Sequence, residues 1–236
     1  MVALVDRREE FGAFREWDFT PCPDLSGSIS SIGPLFRVGS FTPTPTVILN
    51  SDMIKRPQTS VFIAISLDGF IARSNGGLDW LERANSLIPT GEDCGYAAFL
   101  ASIDTIILGA RTFETVQGFE SWPYAGKRVI VLTARPTALP ETIPAEITDT
   151  PPAELLSRLY DEGARHVYID GGITVQGFLR AGLIDRLTVT VIPILLGEGR
   201  PLFGALAADI DLALEDYRAY DFGFTQTTYR VCSAAS

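Results

Sequence analysis

From Ser60 onward the chain alternates short apolar runs with stretches of helical periodicity, and no other feature limits its fold so strongly. Most of the runs stop at a glycine or a polar residue, as strands buried on both faces of a sheet do. Strands separated by helices pair in parallel, with helices on both faces. The sequence therefore predicts a three-layer α/β domain with a mostly parallel sheet. Its runs are Val61–Ile65, Thr105–Leu108, Arg128–Leu132, His166–Ile169 and Leu187–Pro193.

The intervening stretches and the C-terminal region extend this prediction. Two further runs, Ala213–Tyr220 and Phe224–Val231, are joined by a tight link that contains Gly223. Such a link predicts an antiparallel pair at one edge of the sheet. Helices are expected in four stretches, at 95–102, 111–117, 151–163 and 173–181.

Residues 1–56 show neither the strand nor the helix period. Five prolines between positions 21 and 45 are interspersed with glycine and serine, which predicts a disordered or loosely attached head. The alternative is that the natural chain starts at Met53, directly before the first strand, and that the head is not native. The folded domain is expected to comprise residues 57–236.

The composition excludes several classes of protein. The chain has 29 acidic and 19 basic residues and a net charge of −10, so it has no general attraction for nucleic acid or anionic lipid. Its longest apolar stretch, Leu187–Leu196, is about half of the ~20 residues that a membrane-spanning helix needs. Three distant cysteines fit neither a disulfide framework nor a zinc site, so a cytoplasmic protein without a metal is expected.

Ligands of such sheets bind beyond the carboxyl ends of the strands, so the residues after each strand are the candidates for chemistry. After the second strand, Gly109 lets a helix begin close to the strand. Arg111 and Thr112 then lie at the positive end of that helix, where an anion is stabilised. This corner is a predicted phosphate site.

The ends of two more strands carry candidate phosphate contacts. Gly171 and Gly172 follow the fourth strand, with Thr174 in the first turn of the next helix. Two helix N-termini that face one crevice would hold a pyrophosphate from both sides. Thr133 and Arg135, after the third strand, suit the extra phosphate that distinguishes NADP from NAD. The glycine pair could equally be only a tight corner, since the chain lacks the G-x-G-x-x-G fingerprint of dinucleotide sites.

Candidates for acid–base chemistry are few. Asp68, Asp79 and Asp170 are expected at loop positions where a carboxylate would meet a substrate, although Asp68 could instead cap a turn. Cys94 follows two acidic residues, which raise a thiol pKa and argue against a nucleophile. The single histidine, His166, is expected at the surface.

Aromatic residues are the candidates for substrate binding. Trp80, Tyr96, Phe99 and Trp122 could form a wall for a planar heterocycle. Packing in the hydrophobic core is the alternative for each of them. The two possibilities predict different surroundings, because a wall leaves ring faces accessible and a core does not.

Seven segments, taken in order, resemble the dihydrofolate reductase superfamily. The closer resemblance is to its bacterial branch related to the reductase domain of the bifunctional riboflavin-biosynthesis deaminase-reductase. The segments occur in the family's order, and the resemblance covers residues 58 to about 232. Their combination is specific although each alone is weak. They are Ser66–Ala72, Gly77–Leu81, Asp104–Glu114, Ser121–Pro123, Tyr168–Gly172, Gly182–Asp185 and Ile192–Phe203.

The resemblance implies an eight-stranded sheet and a homodimeric, NADPH-dependent reductase acting on a ribosylaminopyrimidine or a related heterocycle. It implies that backbone groups of Ala64 and Ile65 meet the nicotinamide, and that a cis peptide joins Gly171 to Gly172. The proton would come from Asp68, Asp79 or an ordered water. Further cofactor contacts are implied at Gly109, Arg111, Thr112, Thr133, Arg135, Gly171, Gly172, Ile173 and Thr174.

The chain departs from this pattern at two positions. Ala110 stands where family members commonly have a basic residue, which leaves Arg111 and Arg135 to supply positive charge. Gly95 stands near the position of the pterin-binding carboxylate, which disfavours folate reduction. Three competing hypotheses stay open: a dihydrofolate reductase-like enzyme acting on a pterin, a non-catalytic nucleotide-binding or dimerising member of the fold, and a carrier of a flavin-like ligand.

Overall fold

A computed structural model describes residues 55–135 and 143–232, which form strands β1 to β10 and helices α1 to α5. The strands are β1 (Gln58–Ser66), β2 (Phe70–Ala72), β3 (Thr105–Gly109), β4 (Arg128–Leu132), β5 (Ala145–Thr148), β6 (His166–Asp170), β7 (Arg186–Ile192), β8 (Arg200–Pro201), β9 (Leu212–Ala219) and β10 (Thr225–Val231). The helices are α1 (Asp79–Asn85), α2 (Tyr96–Ser102), α3 (Ala110–Gln117), α4 (Pro152–Asp161) and α5 (Gly172–Arg180).

Eight of the strands form one sheet in the order β5-β4-β3-β6-β1-β7-β10-β9. Neighbours from β5 to β7 pair in parallel, and β10 pairs antiparallel with both β7 and β9. The predicted mostly parallel sheet with an antiparallel C-terminal edge is confirmed. The remaining strands, β2 and β8, form a separate two-stranded ribbon.

The central strand β1 shows why the domain has three layers. All its residues after Gln58 are buried, so its side chains enter a hydrophobic core on each face of the sheet. Phe62 and Ala64 pack in the core that holds α1, α2 and α3, whereas Ile63 and Ile65 pack in the core that holds α4 and α5. The three-layer α/β architecture is confirmed.

Three short strands were not predicted. β5 has four half-buried residues of mixed polarity, so it carries no clear apolar run. β2 and β8 have three and two residues, and they exist because each supplies the other with backbone partners. Helix α1 likewise lies in a segment where no helix was predicted.

The amino ends of the parallel strands are held by paired charges. Arg56 donates two hydrogen bonds to Asp185, at 2.7 and 2.6 Å, and the Asp185 carboxylate also accepts the backbone N–H of Thr59 at 2.8 Å. The carboxylate of Asp104, before β3, accepts the backbone N–H groups of Arg165 and His166 at 2.7 and 2.8 Å. These contacts connect the starts of β1, β3, β6 and β7.

A second ionic network lies at the β4–β5 edge. Arg128 pairs with Glu146 at 2.9 Å and with Glu162 at 2.6 Å, and Arg158 pairs with Glu146 at 2.6 Å. The predicted head of residues 1–56 lies outside the described residues apart from Lys55 and Arg56. Among the helices that are described, none has the length and apolar character to span a membrane.

Candidate functional site

The predicted cofactor residues lie side by side at the carboxyl ends of neighbouring strands. The register pairs Leu108 of β3 with Asp170 of β6, and Gly109 with Leu132 of β4, so the loops after these strands begin at one level. From β3 the chain continues to β4, on one side, whereas from β6 it continues to β7, on the other. The β3–β6 boundary is therefore a topological switch point, where open α/β sheets bind ligands.

Two glycine–threonine contacts join the corners at this switch point. A Cβ atom at Gly109 would lie 2.8 Å from Oγ1 of Thr174, and one at Gly171 would overlap Oγ1 of Thr112. Each threonine belongs to the first turn of one helix and packs on the glycine that precedes the other helix. The starts of α3 and α5 are therefore in close contact, and a Cβ atom at position 109 or 171 would require the facing threonine to shift.

Both helices present uncapped N-termini here. Neither α3 nor α5 has a side-chain hydrogen bond at its N-cap, so no N-cap side chain satisfies the N–H groups of the first turn. The two helices lie on opposite faces of the sheet, since Phe113 of α3 and Phe178 of α5 belong to different cores. Two positive helix ends thus converge from opposite sides, which is suited to an anion such as a pyrophosphate.

The corner after β6 differs from the expectation in one respect. Gly171 has φ +91°, a conformation that favours glycine, but the peptide to Gly172 is trans, as all peptide bonds in the described segments are. The expected cis peptide is therefore a wrong prediction, and the left-handed φ alone turns the chain into α5. A Cβ at Gly172 would lie 3.1 Å from the carbonyl oxygen of Pro201, so β8 covers this corner. Ile173 is 70% exposed, although it is a large apolar residue.

The sheet splits beside this corner. β1 pairs with β6 only from Gln58 to Ser60, although β1 continues to Ser66 and β6 to Asp170. Beyond that point Tyr168 Oη donates a hydrogen bond to the Phe62 carbonyl at 2.9 Å. Alternate residues of a strand direct their backbone groups to the same side, so Ala64 faces the same gap as Phe62. The ladder of β1 with β7 continues through Ile65.

The loop after β4 holds the remaining predicted phosphate contact. Thr133 donates its backbone N–H to the Thr148 carbonyl at 2.8 Å, and its Oγ1 accepts the backbone N–H of Arg135 at 3.1 Å. This turn fixes the direction of the chain directly after β4. Arg135 and Arg111 are both exposed. The three strand ends thus place Thr133, Gly109 and Gly171 in one row.

Asp68 ties two loops together. Its carboxylate accepts hydrogen bonds from Ser66 Oγ at 2.6 Å, from the Leu196 backbone at 3.0 Å and from the Gly197 backbone at 2.7 Å. The Ser66 hydrogen bond is the main cause of a lowered pKa of Asp68, and the backbone donors of Gly197 and Leu196 add to it. These contacts are those of a residue that caps a turn, which was the alternative prediction for Asp68. An ionised carboxylate that accepts hydrogen bonds is poorly suited to donate a proton.

Asp79 has a similar character. It lies in the first turn of α1 and accepts two hydrogen bonds from Arg73, at 2.7 and 2.8 Å. These hydrogen bonds from Arg73 are the main cause of a lowered pKa of Asp79. Neither candidate acid, Asp68 or Asp79, has surroundings that retain its proton at neutral pH.

The predicted aromatic wall lies mainly in the core. Trp80 and Tyr96 are 1% and 3% exposed, and the ring of Phe99 stacks on Phe62 at 4.7 Å. The indole Nε1 of Trp80 and the hydroxyl of Tyr96 are buried and have no hydrogen-bond partner in the part of the chain that the structure describes. Burial, together with the charge of Asp170, raises the pKa of the Tyr96 hydroxyl. Two unsatisfied donors thus lie on the face of the sheet that holds Asp170.

Asp170 is the carboxylate nearest the switch point. It is buried, accepts the Gly171 backbone N–H at 2.8 Å and accepts the Tyr124 hydroxyl at 3.2 Å. Burial is the first cause, and the Asp170 charge the second, of the raised pKa values of Tyr124 and Tyr168. The sequence predicts a loop position for this carboxylate, whereas it is the last residue of β6.

Two further titratable residues, Cys94 and His166, are surrounded by contacts that belong to the fold. Burial raises the pKa of the Cys94 thiol to about 11, and Glu92 and Asp93 add to the effect. His166 is half-buried, because its ring packs near Phe99 and its Nε2 lies 2.8 Å from Ser60 Oγ, so it is only partly at the surface where it was expected. Within the described segments, no three His, Cys, Asp or Glu side chains form a group that could hold a metal ion.

Two shallow depressions meet at Asn75, near the starts of α1 and α3. One, of about 280 Å³, is lined by Arg73, Ser74, Asn75, Leu196 and Glu198. The second, of about 290 Å³, is lined by Asn75, Gly76, Arg111, Glu114, Thr115 and Arg200. Sequence reasoning gave Arg200 no role. Arg200 is a basic residue among glycines and apolar residues in the segment 197–203, and this pattern could have indicated it.

The chain is similar to several known proteins. The profile of the RibD C-terminal domain family matches residues 57–225. An uncharacterised Bacillus subtilis protein, YwjB, is 35% identical over 166 residues, which are 69% of this chain and 92% of YwjB. The riboflavin biosynthesis protein RibD of Corynebacterium ammoniagenes is 32% identical over 161 residues, 64% of this chain and 47% of that protein. The crystal structure of a putative riboflavin biosynthesis protein from Shewanella sp. PV-4 superposes with a TM-score of 0.70 and 36% identity, covering 75% of this chain and 99% of that one.

Proposed function

The chain belongs to the RibD C-terminal domain family, and on that premise we propose that it is an NADPH-dependent reductase of a small heterocycle. The proposed substrate class is that of 5-amino-6-(5-phosphoribosylamino)uracil reductases. The observation that carries the proposal is the convergence of two uncapped helix N-termini on a glycine-lined corner, beside a gap in the sheet. A Cβ atom at Gly109 or Gly171 would fill that corner.

The residues present fit NADPH. Gly109, Arg111 and Thr112 of one corner, with Gly171, Gly172, Ile173 and Thr174 of the opposite corner, would hold the pyrophosphate. Thr133 and Arg135, one strand further along, would hold the phosphate that is specific to NADP. The backbone of Ala64 and Ile65 would flank the nicotinamide at the gap between β1 and β6. When bound, NADPH supplies a hydride for an electrophilic carbon of the substrate.

The chain's own side chains then orient the substrate and exclude water. Trp80 Nε1 and the Tyr96 hydroxyl are buried donors without hydrogen-bond partners among the described residues, so polar atoms of a heterocycle could satisfy them. Phe99 would contribute ring surface beside them. Because Asp68 and Asp79 are ionised and engaged, an ordered water is the proton source that these surroundings favour over either carboxylate.

Reduction of a pterin is a weaker candidate. Asp93, the carboxylate nearest to Gly95, accepts the backbone N–H groups of Gly95 and Ala97, each at 2.8 Å. Both of its oxygens are therefore used to begin α2, and neither is directed to a ligand. A non-catalytic nucleotide-binding member of the fold would bind a dinucleotide without turnover, and a carrier of a flavin-like ligand would be yellow when purified.

Titration with NADPH and NADH, followed by tryptophan fluorescence and thermal shift, tests the proposal. We expect NADPH to bind and to raise the melting temperature, because a ligand that binds only the native state stabilises it. Turnover of the ribosylaminopyrimidine distinguishes a reductase from a non-catalytic member. Absence of binding by both dinucleotides would exclude the enzyme.

We also propose that the protein is a homodimer. The edge strand β9 is exposed along most of its length, including the apolar residues Leu212, Leu214 and Tyr217, and edge strands of this kind pair readily. Light scattering at micromolar concentration is expected to give twice the 25.7 kDa chain mass. Replacing Leu214 with Lys should shift the mass towards the monomer, and a monomeric wild-type protein would contradict the proposal.

A further inference from the structure

Arg111 and Arg200 line one depression from two sides. Arg111 is exposed in the first turn of α3, and Arg200 is half-buried at the start of β8. Asn75, Gly76, Glu114 and Thr115 complete the lining. Within the described residues, no carboxylate lies within ion-pair distance of either guanidinium, although Glu114 lines the same depression.

The fold holds Arg200 in place through the ribbon of β2 and β8. Arg200 is opposite Ala72 in this ribbon, and the next residue, Pro201, covers Gly172 at the start of α5. The guanidinium lies against the backbone of Gly76: a Cβ there would be 2.9 Å from both Nη1 and Nη2. Gly76 has φ +92°, so this position favours glycine for its backbone as well as for the space. The loop therefore leaves room for the arginine head.

Several other arginines in the molecule, unlike Arg111 and Arg200, form ion pairs with carboxylates of the described residues. Arg73, only three residues from Gly76, forms a two-point ion pair with Asp79, and Arg128 and Arg158 share two glutamates. Among the residues that the structure describes, the two guanidinium groups line the depression with a single carboxylate, that of Glu114, so the lining has a net positive charge. An anion bound between the guanidinium groups is attracted by that charge, and a phosphate group offers the oxygens that arginine contacts in pairs.

We propose that Arg111 and Arg200 together bind a phosphate ester in this depression. The predicted cofactor contacts included Arg111 but not Arg200. The site assigned here adds Arg200 and does not depend on any reduction taking place. The phosphate belongs either to the dinucleotide or to a sugar phosphate of the substrate. Because the depression adjoins the neighbouring one at Asn75, the remainder of the ligand has space to extend towards Leu196.

Isothermal titration tests the site on the full-length protein at low ionic strength. The ligands are ribose 5-phosphate, NADPH and NADH, and the variants are Arg200→Gln and Arg111→Gln. Arg180→Gln is the matched control, since Arg180 is an exposed arginine at the opposite end of α5. Both site variants should weaken at least one ligand by about tenfold or more, as expected for charge-assisted hydrogen bonds, and the control should change affinities less than about twofold.

The pattern of losses identifies the phosphate. Equal weakening of NADPH and NADH indicates the pyrophosphate, weakening of NADPH alone indicates its additional phosphate, and weakening of ribose 5-phosphate alone indicates a substrate phosphate. Three outcomes would each overturn the site. They are wild-type affinities in both site variants, losses in Arg180→Gln as large as those in the site variants, and no binding of any ligand to the wild-type protein. Ribose 5-phosphate is titrated without cofactor, so failure of the proposed reductase function leaves this test readable.

Discussion

The polar groups at the two ends of the parallel sheet differ in their partners. At the amino end, the charges of Arg56, Asp104 and Asp185 are used within the protein, by ion pairs and backbone N–H groups. At the carboxyl end, two helix N-termini have no side-chain cap, and Arg111 has no carboxylate partner among the described residues. The amino end therefore contributes chiefly to stability, and the carboxyl end retains groups that a ligand can satisfy. Substitutions at the two ends should separate these contributions.

The largest effect is expected for Gly171→Ala. The new Cβ would overlap Thr112 Oγ1, and the backbone has φ +91°, so strain and overpacking together should cost about 3 kcal/mol of unfolding free energy. Dinucleotide binding should be lost, because the two helix starts move apart. Urea denaturation and NADPH titration measure both effects.

Gly177→Ala is the matched control for that substitution. Gly177 lies inside α5, and nothing stands within 4 Å of a Cβ built there. Alanine should therefore stabilise the helix by about 0.5–1 kcal/mol and leave binding unchanged. Equal behaviour of the two variants would show that the glycine corner is not a closely packed contact.

An intermediate effect is expected for Asp185→Asn at the amino end. The change removes the ion pair with Arg56 and weakens the contact with the Thr59 backbone, at a cost of about 2 kcal/mol in stability. NADPH affinity should not change. Asp209→Asn, at an exposed aspartate, is the control and should be neutral. A loss of NADPH affinity in Asp185→Asn would contradict the division between the two ends.

The same variant predicts a pH dependence. Burial alone would raise the pKa of Asp185, but hydrogen bonds from Arg56 and Thr59 outweigh it and lower the pKa. The resulting stabilisation is present above the unfolded-state carboxyl pKa of about 3.9 and is lost as the pH falls through the lower folded-state value. Melting temperatures from pH 2 to pH 7 should therefore fall less steeply at the acidic end in Asp185→Asn than in the wild type.

The smallest effect is expected for Arg135→Gln. If Arg135 binds the phosphate that distinguishes NADPH, the change should weaken NADPH by about 1.5 kcal/mol, the lower end for a hydrogen bond to a charged group, because the side chain is exposed. NADH affinity should stay the same. A parallel loss for NADH would place Arg135 at the pyrophosphate instead.

The sequence was sufficient to predict the parts of the fold that depend on local pattern. The apolar run of β1 and the glycines at 109 and 171 predicted both the central strand and the corners that meet at the switch point. Burial of a strand and the start of a helix leave direct traces in residue type, through apolar side chains and through glycine. The order of the strands then brings the corners together.

Features that depend on contacts between distant residues are not revealed by one sequence. The Asp68 carboxylate binds backbone groups at Leu196 and Gly197, 128 and 129 positions away, and a turn residue alone gives no sign of that partner. The β2–β8 ribbon has too few residues to show a period, yet it positions Arg200. The burial of Tyr96 likewise follows from tertiary packing against Phe62.

The early end of the β1–β6 ladder has a thermodynamic consequence. Among the described residues, β1 has a strand neighbour from Val61 onward only on the β7 side, so the centre of the sheet is folded with an incomplete set of strand partners. A planar ligand whose edge hydrogen-bonds to Ala64 would take the place of the absent strand residues. Ligand concentration would then determine how slowly the amide hydrogens of this central strand exchange with solvent, since binding and local opening are linked.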